Sequence, residues 1–557
     1  MSLYSSVTPG IKLYQNFENR GYENISDIAF GDLVPIGHLL CMPGEYLHIN
    51  NSAFVRTIPM FAPVFGNVKI RIYNFAVPIR ILDDDAQNII KGYDDDGVEV
   101  QGSLPGMYET SYDVNNPLIP QWSFWDYMSW NVCKAQNLPQ LAMPAKYWYQ
   151  GYVKIWNEYF RDQNYQEELD VDDLLFDDND KPTGGQILKV NFKKDYFTSA
   201  TPELLKGEIP SLGLGGTAGL DFSDVIRSLS TTTAESEFYN PVVNMERQSG
   251  TGDVLNSNLA VIKQSTYNSG SADVKAAYDK LQTSLLNLFN SAKVSGAGLG
   301  TFDVAKLRQL FAYTRIKERA SRCGSRYTEY LRANFGVAPR DERMQRPEFL
   351  GGCSSPVIVN EVTQTSAATQ DSAQGNLSGK GTSLVGSRQN GYLCTEFMLI
   401  YTLAAIVPDS LYSTGIDRTD TIKNRFDFPN PSFQNLSEQA VHGYELYAAG
   451  DYDGDESLDE KIIGYQGRYN EFRRSQSHVT GAFRNSLNYW HLSREFAQRP
   501  FINSDFLEVN ASTNNLNRIF NALDDNQYKP FYVHAYNGYK VKQPLVKSPC
   551  PGLIDHN

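Results

Sequence analysis

One glycine-rich stretch has the composition of a phosphate-binding loop. Residues 374–383 read QGNLSGKGTS, whereas such a loop requires Gly, four further residues and then Gly-Lys-Ser/Thr. The first position is Gln374, and Lys380 is followed by Gly381 instead of a hydroxyl residue. Because the pattern fails at both positions, we predict no nucleotide site in this stretch.

An acidic stretch has the residue types that bind a hard cation. Residues 451–460 read DYDGDESLDE, but the Gly and Glu that an EF-hand needs at its sixth and twelfth positions are Glu456 and Ile462 here. The favoured interpretation is a solvated loop. An irregular structural calcium site is the alternative, because close carboxylates repel one another, and no other cofactor is predicted. Its candidate ligands are Asp451, Asp453 and Asp455.

Histidines and cysteines, which often supply bases, nucleophiles and metal ligands, are scattered along the chain. The seven histidines lie outside any HExxH or GxSxG motif. The six cysteines form no CxxC pair, which argues against a zinc site. We therefore predict that the protein is not an enzyme.

Basic and aromatic residues interleave in two segments, 468–484 and 528–547. Cations bind phosphates without reading sequence, and aromatic faces stack on unpaired bases. The two segments are therefore candidates for binding single-stranded nucleic acid, although subunit interfaces use the same residue types. The candidate residues are Arg468, Arg473, Arg474, Arg484, Lys529, Lys540, Lys542 and Lys547.

The net charge of −14 is unevenly distributed. Residues 81–180 hold 20 acidic and 5 basic side chains, so the rest of the chain is close to neutral. Two windows are basic: residues 301–350 hold 11 Lys/Arg against 6 Asp/Glu, and residues 461–500 hold 7 against 2. Such blocks favour a protein with two differently charged faces, although ordinary solvated surface gives the same pattern.

Periodic elements are clearest in the middle of the amino-terminal half. Trp148, Tyr152, Ile155 and Tyr159 fall on one face of a helix, and residues 187–192 alternate with the period of a half-buried strand. The dispersal of such alternating runs, without a composition-defined linker, favours one antiparallel β-barrel over tandem domains. Further strands are predicted at 67–77, 357–363, 393–406 and 530–541.

Two regions lack this periodicity. Residues 1–40 are polar and turn-rich, and we interpret them as an N-terminal arm or irregular lead-in. Residues 201–300 are rich in Gly, Ser, Thr and Asn, which is typical of a surface insertion. The chain has neither a run of about 18 apolar residues nor an apolar amino-terminal segment, so we expect no membrane insertion and no signal peptide.

Three motifs carry a family resemblance. They are IWNEYFRDQN at 155–164, DYFTSA at 195–200 and, most specific, SRYTEYLRANFGVAPRDERMQRPEFLGG at 325–352. These motifs resemble the major capsid protein of the Microviridae, small icosahedral bacteriophages with circular single-stranded DNA, and its gokushovirus-like branch most closely. The resemblance extends over about residues 40–80, 147–200 and 301–500.

The resemblance implies a mainly β fold, with an eight-stranded antiparallel jelly-roll barrel carrying long helical and irregular loop insertions in one domain over 1–557. It implies a capsid protein that self-assembles into a T=1 icosahedral shell enclosing circular single-stranded DNA. The insertion at 201–300 would then project from the shell at the three-fold axes. Residues 374–383 would correspond to a Gly/Ser-rich loop.

The implied partners are further copies of the chain, the single-stranded DNA genome, a minor pilot protein, a small basic DNA-binding protein and a host-cell receptor. The protein would be found in the virion, after assembly in the host bacterial cytoplasm. The alternative is a jelly-roll host-recognition or carbohydrate-binding module of a phage. That alternative requires an exposed aromatic platform.

Overall fold

A computed structural model of the chain describes residues 16–206 and 304–547, with short gaps in both ranges. The chain divides into two compact units, Met1–Lys206 with Arg319–Asn557, and Gly207–Glu318. The described part of the second unit is helical. The gaps fall at 84, 93–95, 97, 101, 108–118, 131–143, 178–181, 205, 324–325, 327–328, 330–331, 334–339, 366–373, 426, 435–437, 454–455, 522, 525–526 and 546.

Strands dominate the described residues, and most helices are short. The strands are β1 Asn16–Asn19, β2 Tyr22–Ile28, β3 Val34–Cys41, β4 Tyr46–Thr57, β5 Val68–Pro78, β6 Glu348–Pro356, β7 Ile358–Thr363, β8 Leu377–Leu393, β9 Met398–Pro408, β10 Glu438–His442, β11 Tyr452–Asp453, β12 Glu456–Ser457, β13 Ile462–Gly467 and β14 Phe531–Gln543. The α-helices are α1 Ala86–Lys91, α2 Phe124–Tyr127, α3 Tyr147–Ile155, α4 Val171–Leu175, α5 Val304–Cys323, α6 Gly443–Leu446 and α7 Ser504–Leu507.

One π-helical turn and several 3-10 turns complete the described elements. The π-helical turn, Trp156–Phe160, continues directly from α3. The 3-10 turns are Ile79–Ile81, Asp341–Met344, Arg418–Thr421, Pro431–Phe433, Asn470–Phe472, Gly481–Arg484, Asn488–Trp490 and Leu516–Ile519. In the ranges that the structure describes, no helix is long and apolar enough to span a membrane.

The strands form two main antiparallel sheets. The first has six strands, in the order β1-β14-β4-β8-β7, with β2 also paired to β14. The second has four strands, in the order β3-β9-β5-β6. The chain passes from the second sheet to the first between β6 and β7, where the Val357 amide donates to the Val68 carbonyl at 2.7 Å.

One buried apolar cluster contains residues from both sheets. In β4 and β14 every second residue is buried over most of the strand, because successive side chains point to opposite faces. Val55 and Val533 of the first sheet belong to the same buried cluster as Ile70 and Ile406 of the second. The inner faces of the two sheets therefore share one core.

Helix α3 covers part of the second sheet. Every residue of β9 is buried, as expected for a strand covered on both faces. The Tyr401 hydroxyl on β9 donates to the Trp148 carbonyl at 2.6 Å. A Cβ at Gly151 would lie 2.5 Å from the Tyr401 hydroxyl oxygen, so only glycine allows the helix to approach this closely.

A buried polar network joins the two sheets. Asn51 on β4 donates to the Asn74 amide oxygen on β5 at 3.1 Å and to the Thr402 hydroxyl on β9 at 2.7 Å. Asn74 donates to the Ser387 hydroxyl on β8 at 2.8 Å, and the Thr402 and Tyr539 hydroxyls lie 2.8 Å apart. All five side chains are buried. Their hydrogen bonds are directional, so they fix how one sheet lies on the other.

These observations confirm the predicted mainly β, antiparallel fold, but they do not confirm the predicted eight-stranded barrel. The described part is mainly β and antiparallel, in two sheets of six and four strands that do not close into a barrel. The predicted helix is α3, which buries Tyr149, Tyr152 and Ile155. The strands predicted at 67–77, 357–363 and 530–541 correspond to β5, β7 and β14, and the run at 393–406 corresponds to the end of β8 and to β9.

Residues 187–192 have the predicted alternation of burial but do not form a regular strand. Leu188, Val190 and Phe192 are buried, and the alternate residues are half-buried. The Leu188 carbonyl accepts from the Leu33 amide at 2.9 Å, and the Phe192 amide donates to the Leu507 carbonyl at 2.9 Å. The segment thus divides its backbone hydrogen bonds between two neighbours, which leaves isolated bridges instead of a ladder.

Two predictions about irregular segments are corrected. Residues 374–383 were predicted as a Gly/Ser-rich loop, but β8 begins at Leu377 and pairs with β4 and β7. The irregular lead-in predicted over 1–40 contains β1, β2 and most of β3 from residue 16 onward. In both cases pairing with neighbouring strands outweighs a polar or glycine-rich composition. Residues 1–15 and the predicted insertion from 207 to 300 lie outside the described residues.

The polar network predicts different effects for two adjacent asparagines. Asn51→Ala should lower the free energy of unfolding by about 2–3 kcal/mol, because it removes two buried hydrogen bonds that join β4 to β5 and β9. Asn50→Ala, on the exposed face of the same strand, should change it by less than about 0.5 kcal/mol. Denaturant unfolding of both variants measures the difference. Equal effects would contradict a stabilising role for the network.

Candidate functional site

The DYFTSA motif forms a turn closed by reciprocal hydrogen bonds. The Thr198 amide donates to Asp195 Oδ1 at 2.8 Å, and the Asp195 amide donates to Thr198 Oγ1 at 2.7 Å. The second carboxylate oxygen of Asp195 accepts from the Tyr412 hydroxyl at 2.7 Å. Asp195 therefore both closes the turn and ties it to the segment that follows β9.

The next residue of the motif contacts a buried carboxylate. The Tyr196 hydroxyl donates to Glu445 Oε2 at 2.6 Å, and Arg418 lies 3.2 Å from Glu445 Oε1. Glu445 is buried in helix α6, which follows β10 directly, and this burial raises its pKa. Burial likewise raises the pKa of Tyr196. The group is paired and hydrogen-bonded, as a buried charge must be, and it joins three distant segments.

Arg494 is a buried cation within the same region, at 1% exposure. Its guanidinium donates to Asn514 Oδ1 at 2.7 Å and to the Phe506 carbonyl at 2.5 Å. It also lies over the rings of Phe506 and Phe192, at 3.9 Å and 4.4 Å from their centroids. A planar cation can make this combination of hydrogen bonds and ring contacts. Arg494 therefore connects the segment after residue 490 to helix α7.

The other two motifs meet at Tyr159. Its hydroxyl donates to the Pro347 carbonyl at 2.6 Å and lies 3.2 Å from Asp341 Oδ2. The Arg346 guanidinium lies 4.9 Å from the Tyr159 ring centroid and donates to Asp341 Oδ1 at 2.7 Å. Burial raises the pKa of Tyr159. The motifs that carried the resemblance therefore hold loops in position.

The predicted arginines follow β13, and three of the four donate to backbone carbonyls. Arg468 has its guanidinium 5.2 Å from the Tyr469 ring centroid. The other three donate to backbone carbonyls: Arg473 to Arg468 at 2.9 Å, Arg474 to Asp195 at 2.9 Å, and Arg484 to Val479 at 2.8 Å. These contacts assign the arginines a role in loop geometry. Nucleic-acid binding by them stays a prediction.

The predicted lysines lie on and around β14. Lys540 is exposed, and Lys542 lies two residues further along the same face, 5.8 Å from the Phe17 ring centroid. Lys529 precedes the strand and lies 4.2 Å from the Trp122 ring centroid. Lys547 is exposed after the strand ends. Lys540 and Lys542 thus share one sheet face, whereas the arginines belong to loops elsewhere.

The amino-acid sequence of the chain matches the model of a protein family. The family model described as capsid protein (F protein) matches residues 11–553. The chain belongs to this capsid protein family. The assignment confirms the resemblance to Microviridae capsid proteins and the predicted role of a capsid protein, which is a structural role.

Three relatives have a similar length. The chain is 29% identical to capsid protein VP1 of Chlamydia phage 1, over 96% of this chain and 94% of the relative. It is 29% identical to capsid protein VP1 of Bdellovibrio phage phiMH2K, over 90% and 89% of the two chains. The identity to capsid protein VP1 of Spiroplasma virus 4 is also 29%, over 87% and 86%.

The acidic stretch at 451–460, the alternative calcium site, contains the hairpin β11–β12. Asp451 lies 3.5 Å from the Arg499 guanidinium, which also pairs with Asp459. Asp453 lies on β11, and Asp455 is outside the described residues. Within the described ranges, no three His, Cys, Asp or Glu side chains cluster as metal ligands would. Arg499 therefore offsets part of the repulsion between carboxylates on which the calcium alternative was based.

Three further cations share a sheet with Lys540, and the sequence alone did not indicate them as binding residues. Arg56 lies on β4, and Lys380 and Arg388 lie on β8. Each is isolated in its own strand, so no run of charge marks it. The alternation of each strand shows which residues share its face, but the pairing of β14 with β4 and of β4 with β8 appears only in the folded chain.

The environment of Arg494 predicts that lysine cannot replace it. Arg494→Lys should lower the free energy of unfolding by about 2–4 kcal/mol, because an ammonium cannot reach both acceptors while lying over the rings. Arg473→Lys, at an exposed loop, should change it by less than about 0.5 kcal/mol. Denaturant unfolding measures both variants. Similar values for the two would contradict the role assigned to Arg494.

Glu508 predicts a pH dependence of stability. Gln166 donates to its carboxylate at 3.0 Å, but burial dominates and raises its pKa above the ordinary value of about 4.5. The native state therefore holds the proton more tightly than the unfolded state. Its contribution to the free energy of unfolding falls as the pH rises from about 4.5 through the raised pKa.

The variant Glu508→Gln lacks this titration and keeps an acceptor for Gln166. Its free energy of unfolding, relative to the parent, should therefore rise between about pH 4 and about pH 7. Urea unfolding at both pH values measures the change. Glu361→Gln, on exposed β7, removes the same charge and supplies the background to subtract. A difference that stays constant with pH would show that Glu508 is not linked to folding.

Proposed function

We propose that this chain is the major capsid protein of a small bacteriophage and self-assembles into a T=1 icosahedral shell around circular single-stranded DNA. The observation that carries the proposal is the match to the capsid protein family over residues 11–553. The three relatives named capsid protein VP1, each matched over most of its length, support it. The shell itself is the virion component in which the protein would be found.

The proposed subunit core is a jelly roll. Two antiparallel sheets share one apolar core, and the continuous run from β6 to β7 belongs first to one sheet and then to the other. Two non-strand segments lie on the side of the second sheet. Helix α3 packs on the second sheet, and the segment at 187–192 hydrogen-bonds to the residues just before β3, whereas one face of the first sheet keeps exposed side chains. Such a subunit has two different surfaces, as a shell requires.

Residues 201–300 are proposed to decorate the outside of the shell at the three-fold axes. The boundary of the second compact unit at Gly207 supports a separate insertion. A host-cell receptor, a minor pilot protein and a small basic DNA-binding protein are the proposed partners besides the genome. Assembly is proposed to take place in the host bacterial cytoplasm.

Assembly of the recombinant full-length chain tests the proposal. Sedimentation and negative-stain images should show closed shells of uniform diameter, and particles from the producing host should protect DNA that a single-strand-specific nuclease digests after disruption. A folded protein that stays monomeric under all assembly conditions would contradict the capsid role. Binding of glycans by that monomer would favour the alternative role of a host-recognition or carbohydrate-binding module.

Replacing residues 210–300 with a short Gly/Ser linker tests the proposed insertion. Shells should still form, with less mass and smoother images, because the first unit would keep its own core. Sedimentation and negative stain measure both properties. If the shortened chain folds but forms no shells, the segment takes part in subunit contacts instead of decorating the surface.

A further inference from the structure

Three neighbouring strands of the six-stranded sheet carry an unbalanced charge. Strands β4, β8 and β14 lie side by side and contain no Asp or Glu. Among their residues five are Lys or Arg: Arg56, Lys380, Arg388, Lys540 and Lys542. A surface built from these strands is therefore positively charged wherever its side chains point away from the core.

The burial pattern places these cations on the outward face. Arg56, Lys380, Arg388 and Lys540 are exposed, and those of their strand neighbours whose burial the structure describes are buried. For example, Val55 and Thr57 flank Arg56 and are buried. We call the outward side of β4, β8 and β14 the basic sheet face.

The strand register interleaves aromatic rings with the cations. Tyr532 pairs with Arg56, and Tyr536, four residues along the same face, pairs with Ser52. Both tyrosines are exposed, at 45% and 41%. Phe54 lies in the row between them and is contacted by the Arg56 guanidinium, 5.0 Å from its ring centroid. Successive cross-strand pairs on this face are two residues, or about 6.6–6.8 Å, apart along the strands. Successive bases of a single strand can therefore reach Tyr532, Phe54 and Tyr536 in turn.

Acidic residues are confined to the edges of this sheet. Glu18 lies on β1, Glu23 and Asp27 lie on β2, and Glu361 lies on β7. His534 in the centre faces Glu23 at 3.3 Å. The charges therefore form a central basic stripe with acidic margins, which restricts where a polyanion can lie.

We propose that the basic sheet face binds single-stranded nucleic acid without reading its sequence. Arg56, Lys380 and Lys540 bind phosphates, and Tyr532 and Tyr536 stack on unpaired bases. The inference rests on the proposed function and assigns the face to the interior of the shell. Exposed aromatic side chains on a β-sheet are a known platform for stacking unpaired bases.

Other polyanions fit this face less well. An acidic peptide satisfies the cations but has no flat faces for the tyrosines. The bases of duplex DNA are already stacked on one another, so its backbone alone would contact the face. The proposal therefore requires that single strands bind better than duplexes and better than polyglutamate.

Binding of a fluorescent oligo-dT of about 16 nucleotides to the full-length chain tests the proposal. Arg56→Gln/Lys380→Gln/Lys540→Gln should weaken binding at least about tenfold and reduce the slope of log affinity against log salt by about 2, from about 0.7 per phosphate contact. Tyr532→Thr/Tyr536→Thr should weaken binding about tenfold and leave the slope unchanged, because stacking releases no counterions.

A matched control removes three exposed cations elsewhere, in Lys193→Gln/Lys423→Gln/Arg425→Gln. This control should bind as the parent does. Thermal unfolding of each variant checks that it is folded. The proposal is overturned if the control loses as much affinity as the first triple variant, or if duplex DNA or polyglutamate competes as well as the single strand.

Experiments on assembled particles distinguish a failure of this proposal from a failure of the proposed function. The triple variant of the basic sheet face should form shells that protect less DNA than the parent shells. Folded subunits that form no shells would show that the face is a subunit interface, which overturns the proposal. If the parent itself forms no shells, the proposed function fails, and oligonucleotide binding by the unassembled chain still decides whether the sheet face binds nucleic acid.

Discussion

The fold depends on a polar network buried between two sheets. Asn51, Asn74, Ser387, Thr402 and Tyr539 come from five strands of both sheets, and all are buried. Apolar side chains alone allow sheets to pack in several registers, because dispersion forces have little directionality. Amides and hydroxyls must each find a partner within about 3 Å, and leaving one unpaired costs about 1–3 kcal/mol. The observed position of the sheets brings these five side chains within hydrogen-bond distance of one another, and it leaves the Asn51 amide oxygen buried without a hydrogen-bond partner.

Loops that are far apart in sequence are held by charged side chains in a second layer of contacts. Asp195 closes its own turn and accepts from Tyr412, while Arg494 joins two further segments through its guanidinium. Tyr159 and Arg346 do the same between two other segments. Such groups are tolerated at low exposure because each is paired. A protein that must present the same surface in every copy benefits from loops fixed in this way.

The second sheet is covered more completely than the first. This difference gives the subunit two dissimilar surfaces, as a shell subunit needs. Strand β9 is buried along its whole length and contacts α3 at Tyr401, so the second sheet presents no face of that strand to solvent. The first sheet keeps one face open at β14, where tyrosines and lysines alternate with buried residues. A closed shell needs one surface for its contents and others for neighbours and the host. The family assignment and this asymmetry support the same conclusion by different routes.

Local periodicity by itself determined the helix at 147–155 and the strands at 68–78 and 531–543, because each pattern is long and one face of each element is buried. The motifs at 155–164, 195–200 and 325–352 determined the family. The tertiary structure decided which strands are neighbours. It made residues 377–383 part of a strand despite their glycines, because β7 pairs with residues 377–382 and β4 continues the pairing from residue 382. It also brought Arg56 beside Tyr532 across most of the chain length, since strand register depends on contacts between residues that no local pattern connects.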